Sequence, residues 1–101
     1  MSFETKFFAK PIECGVLALS GDAGDQITAT ATKCTHIQLQ AADGNAALAY
    51  YGLASGEEYM EIENDNRVII TIPLFSPTAL FLKGTTQDTV NWMLFNCPAM
   101  D

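Results

Sequence analysis

Cys34 and His36 stand on either side of Thr35. Residues two apart on a strand project from the same face, so a thiol and an imidazole at this spacing can converge. The pair suits a cysteine nucleophile, because a neighbouring imidazole must take the thiol proton. It also suits two ligands of a zinc ion, with Cys14 or Cys97 as a further sulfur donor. Neither chemistry is complete in this sequence. A nucleophile needs an orienting group and an oxyanion hole, and no residue can be assigned to either. Cys-x-His also lacks the paired CxxC spacing that marks zinc sites. These are read as ordinary strand residues with reduced thiols.

A second concentration of chemistry is the acidic run Glu57, Glu58, Glu61, Glu63 and Asp65, with Asn64 and Asn66 among them and no basic residue before Arg67. Carboxylates and amide oxygens together suit calcium, which takes about six oxygens or more. The short loops GDAGD and ADGN offer the same groups. None follows the EF-hand pattern, so the run is read as a solvated face or a patch for a basic partner. Glu61 and Glu63 would share a strand face, but nearness in sequence does not place two carboxylates across a glycosidase cleft. Tyr50, Tyr51, Tyr59 and Trp92 are candidates for stacking on sugar rings, although aromatics on strands more often fill a core. No glycine-rich phosphate loop and no GxSxG elbow is present. No catalytic, cofactor-binding or metal-ligating residue is expected.

The elements that must position these residues read as strands. No window sustains a 3.6-residue apolar period between good caps. Instead VLALS (16–20), QITATAT (26–32), HIQLQ (36–40), ALAYY (47–51), EEYMEIEN (57–64), RVIITI (67–72), ALFLK (79–83) and TVNWMLF (89–95) are separated by Gly, Asn, Asp and Pro. In QITATAT, Ile27, Ala29 and Ala31 are expected on one packed face and the threonines on a wet one. The final two runs read as a hairpin about the polar knot Gly84–Asp88. About eight short strands with regular turns predict an all-β fold, an antiparallel sandwich or a jelly-roll-like barrel. The last three strands are apolar on both faces, which calls for a cover over the second face: another sheet, the N-terminal segment or another subunit. Residues 1–13, with Phe3, Phe7 and Phe8 ahead of Pro11, read as an N-terminal arm that docks, and residues 14–101 as one β-sandwich domain.

Composition narrows the partners. The chain has 101 residues, is 49% hydrophobic and carries a net charge of −7. An acidic surface disfavours DNA, RNA and anionic membrane, so no nucleic acid and no membrane is expected as a partner. MSFETKFFAK carries Glu4, Lys6 and Lys10 and so offers no apolar signal segment. VIITIPLFSPTALFL (68–82) is shorter than the ~20 residues of a spanning helix and is broken by Pro73 and Pro77. The odd cysteine count fits no disulfide framework, which predicts folding in cytoplasm.

From about residue 15 to 95 the succession of strands and turns resembles that of small all-β virion proteins of tailed bacteriophages. The matching elements are Tyr51–Gly52, Lys83–Gly84 and Asp88–Thr89–Val90–Asn91–Trp92 ahead of the last aromatic strand. The resemblance implies a non-enzymatic structural role: a capsid decoration (cement) protein, frequently a homotrimer, that bridges subunits of the major capsid protein or another virion protein. The alternative it implies is a tail or adaptor module that binds a receptor or glycan. In either case the location is the virion, assembled in host cytoplasm. Phe3, Phe7, Phe8, Tyr59 and Trp92 are the expected interface residues.

Overall fold

The structure, a computed structural model, describes residues 10–96. Phe3, Phe7, Phe8 and Cys97 lie outside these residues. In chain order the strands are β1 (Lys10–Ala18), β2 (His36–Ala41), β3 (Ala49–Gly52), β4 (Met60–Ile62), β5 (Ile70–Pro73), β6 (Phe81–Lys83) and β7 (Thr89–Asn96). A four-stranded sheet runs β1-β7-β2-β5 and a three-stranded sheet β4-β3-β6, with every pairing antiparallel. This is the expected all-β, sandwich-like fold. A single 3-10 turn, Pro77–Ala79, makes the corner between β5 and β6, where Pro73 and Pro77 interrupt the apolar run. Among the described residues no helix is long and apolar enough to cross a membrane.

Alternation builds the core. Val90, Trp92 and Leu94 of β7 oppose Ala41, Leu39 and Ile37 of β2, and all six are buried. Ala49, Ile62 and Leu82 join the same core from the three-stranded sheet, and Leu19, Ile27, Leu74 and Leu80 from the connections. Each large side chain buried this way contributes about 1.5–3 kcal/mol. Gly15 faces Trp92 across the β1–β7 ladder. A Cβ there would come within 2.6 Å of the indole Cζ2, so only a residue without a side chain lets the ring lie across β1.

Three expectations are corrected. QITATAT is not a strand, although its facing is as read: Ile27 is buried, Ala29 and Ala31 are half-buried, and the threonines are exposed. What it lacks is a backbone partner. The Glu13 carboxylate, not a neighbouring strand, accepts the N–H groups of Thr30 (2.8 and 3.1 Å) and Ala31 (2.9 Å). Gln26 Nε2 donates to the carbonyl of Thr78, and Asp25 makes one isolated bridge to Leu82. The run ALFLK–TVNWMLF is not a hairpin either. β6 belongs to one sheet and β7 to the other, so the knot Gly84–Asp88 carries the chain across the sandwich. Lastly, β1 begins at Lys10, so residues 10–13, read as part of the arm, are in a strand that pairs with β7 across a bulge between Pro11 and Glu13.

The Glu13 contact has a pH signature. Hydrogen bonds from Thr30 and then Ala31 hold its carboxyl below the usual glutamate value. A depressed pKa stabilises the fold above the unfolded-state value, about 4.3, and this stabilisation is lost as pH falls through the lower folded value. We expect Glu13→Gln to lower the urea midpoint at pH 7 and the gap from wild type to close as pH falls below about 4. A gap independent of pH would mean that the carboxylate charge is not what holds residues 30–31.

Candidate functional site

The residues singled out for chemistry are dispersed. Cys34 is buried, donates its Sγ–H to the Leu74 carbonyl at 3.0 Å, and has its pKa pushed up by burial, which keeps it a thiol. His36 opens β2 and places Nδ1 3.0 Å from Thr35 Oγ1. Cys14 is exposed on β1. Among the described residues no three His, Cys, Asp or Glu side chains are grouped to hold a metal ion.

The acidic run divides into separate roles. Glu58 is 1% exposed, and its Oε2 accepts the Gly24 N–H at 2.7 Å, pinning the 20–25 loop to the turn before β4. Glu57, Glu61 and Glu63 are exposed. Asp65 pairs with Arg67, whose Nε and Nη2 each lie 3.1 Å from its carboxylate. The guanidinium, and after it the Arg67 backbone N–H, hold the Asp65 carboxyl below its usual range. The loops ADGN and NDNR do meet, and they line an open cleft of about 360 Å³, but the Asp65 carboxylate in it is already engaged by Arg67.

The aromatics do not form one platform. Trp92, expected at an interface, is 5% exposed and packs in the core, because its position on β7 falls on the inward side of the pleat. Tyr51 is half-buried against the same core. Tyr50 faces outward from the three-stranded sheet with the Lys83 ammonium 6.0 Å from its ring centre, beside an open cleft of about 680 Å³. Tyr59 is 73% exposed, with Leu53 and Met60 also exposed on the stretch before and into β4. All three are exposed apolar residues of the β3–β4 connection and the first position of β4.

The surface with the strongest pattern is one that residue types alone did not single out: the outward face of the four-stranded sheet. Register defines its rows. Pro11 lies beside Phe95, His36 and Pro73; Cys14 beside Met93, Gln38 and Thr71; Val16 beside Asn91 and Gln40; and Ala18 beside Thr89. None of these residues is Asp, Glu, Lys or Arg. The charged residues within this sheet's strands, Lys10 and Glu13, pair with Asn96 and Leu94 and so fall on the other side of the pleat. Ile69 and Phe75 at the ends of β5 are exposed, and Val16 is 65% exposed. Amides cross-link the face: Gln38 Nε2 donates to Thr71 Oγ1 at 3.2 Å, and Asn91 Nδ2 to Gln40 Oε1 at 3.1 Å. By contrast, the outward face of the three-stranded sheet carries the row Glu61, Tyr50 and Lys83. The available signal was the charge-free alternation of HIQLQ and TVNWMLF; only the register assembles it into a plane.

No family model, no curated protein and no solved structure matches the chain. The class that fold and surface define is therefore an acidic, all-β domain with an uncharged sheet face and exposed apolar residues about the β3–β4 connection.

Proposed function

We propose that the chain is a non-enzymatic structural protein of a tailed-phage virion, a capsid decoration protein that acts as a homo-oligomer and holds neighbouring shell subunits together. A bridging protein needs more than one place to dock. The supporting observation is that six of the exposed large apolar residues fall in two separate places: Val16, Ile69 and Phe75 on or beside the four-stranded sheet, and Leu53, Tyr59 and Met60 about the β3–β4 connection, taken together as one ridge. Singly exposed apolar residues need no explanation, but two groups of them at separate places on a chain of net charge −7 suit a protein that docks twice. Binding at such a surface stabilises the assembled shell by mass action.

The test is attachment to particles that lack the native protein. Wild-type protein should bind at a copy number comparable with that of the major capsid protein. Tyr59→Glu and Leu53→Glu should each reduce occupancy at least tenfold, while circular dichroism stays that of the folded domain. Full occupancy by both variants would remove the ridge from the contact. A handful of copies per particle would favour the tail or adaptor role, for which the Tyr50–Lys83 cleft is the candidate glycan site.

A further inference from the structure

The outward face of the four-stranded sheet has features that separate one kind of partner from others. It is free of charge in a chain whose net charge is −7. Two copies meeting by any carboxylate-bearing surface bring like charges together, whereas two copies meeting by this face do not. A basic partner would instead be met by an acidic surface, and this is the face the acids avoid. The polar side chains on it are the amides and hydroxyls of Gln38, Gln40, Asn91 and Thr71, with the His36 imidazole and the Cys14 thiol beside them. Each of these groups both donates and accepts hydrogen bonds, so each can pair with its own copy across a two-fold axis; an ammonium or a carboxylate cannot. The apolar positions, Val16, Met93 and Phe95, flank this polar centre.

We infer that this face joins two copies of the chain, sheet against sheet, about a two-fold axis lying in the plane between them. Face-to-face sheets pack about 10 Å apart with strand directions within about 30° of each other. The four strands, 9, 8, 6 and 4 residues long at about 3.3 Å per residue and about 4.8 Å apart, give a plane of roughly 430 Å² on each copy. Two such planes come to roughly 860 Å², the size of weak contacts, and the expected association is correspondingly weak, micromolar at best. An isologous contact closes at two copies, so the unit is a dimer and not the trimer that the resemblance implies. The inference rests on the homo-oligomer part of the proposed function and is independent of the particle part.

Sedimentation equilibrium of the full chain tests it. Wild-type protein should be a dimer at about 100 µM, the upper side of a micromolar contact. Gln38→Glu places a carboxylate mid-face and should raise the dissociation constant at least 100-fold. Met93→Lys, a second variant of opposite sign, should do the same. Both sites are on the outward face, and circular dichroism should confirm folding. Leu53→Glu, on the ridge, should leave the dimer unchanged while it weakens particle attachment, so the two failures can be told apart. A wild-type monomer at this concentration overturns the inference, as does a trimer indifferent to Gln38→Glu. A monomer that dimerises only after removal of residues 1–9 assigns the face to the chain's own N-terminal segment and overturns it too.

Discussion

Gly52→Ala should leave little folded protein under conditions where the wild type is stable. Gly52 is the last residue of β3 and is buried. The loop that follows returns directly over it. A Cβ at this position would overlap the Glu57 carbonyl oxygen and lie 2.9 Å from the Glu57 carbonyl carbon and 3.0 Å from Glu58 Cα. These are backbone atoms, so no rotamer change relieves the overlap. Either β3 leaves its register with β4 and β6, or the loop lifts and withdraws Glu58, and with it the hydrogen bond to Gly24. Overpacking of this kind costs about 3 kcal/mol or more, a large share of the ~5–15 kcal/mol that holds a domain folded. Urea denaturation followed by tryptophan fluorescence reads it through Trp92. A midpoint within error of wild type would show that the loop moves aside freely.

The second large effect is expected at Asp88. Its buried carboxylate accepts the Ala46 N–H with both oxygens, at 2.9 and 3.0 Å, and the Ala47 N–H at 3.1 Å. Its own carbonyl takes the Leu19 N–H at 2.8 Å, and the next residue, Thr89, exchanges two hydrogen bonds with the Asn45 side chain. One aspartate thus ties the entry to β3, the end of β1 and the start of β7. Hydrogen bonds to a charged acceptor contribute about 1.5–3 kcal/mol each, and here they share one carboxylate, so Asp88→Ala should cost about 2–4 kcal/mol. Asp88→Asn keeps the shape and one acceptor oxygen and should cost less than half of that. Equal losses in the two variants would show that packing, not hydrogen bonding, is what the side chain contributes.

The all-β class was legible because apolar residues recur at period two between turn residues, and that pattern needs no tertiary knowledge. It failed where pattern and pairing part company. Residues 26–32 alternate as a strand does, yet the N–H groups of Thr30 and Ala31 donate to the Glu13 carboxylate, a side chain that no propensity marks as a ladder partner. TVNWMLF shows two apolar faces, but not that it lies between β1 and β2 with its closest neighbour in sequence, β6, in the other sheet. Long-range register decides both. Glu58 was read with its acidic neighbours as solvated. Its burial follows from a loop that folds over Gly52, and only the backbone shows this. Trp92 was read as an interface residue because its strand, taken as half of a hairpin, is apolar on both faces. Its parity on β7 puts it inside, against a glycine, and the parity was there to be read once Met93 and Asn91 were set outward.

The strands of the four-stranded sheet carry no carboxylate on their outward side, and this gives the sheet an electrical front and back. If two chains close these sides against each other as inferred, the net charge of both stays on the outside, together with the exposed Leu53, Tyr59 and Met60. Such pairs repel further pairs at the distances that screening in a cell allows, about 8 Å. On that arrangement like charge would oppose further self-association, and a larger assembly would need a partner surface that supplies positive charge.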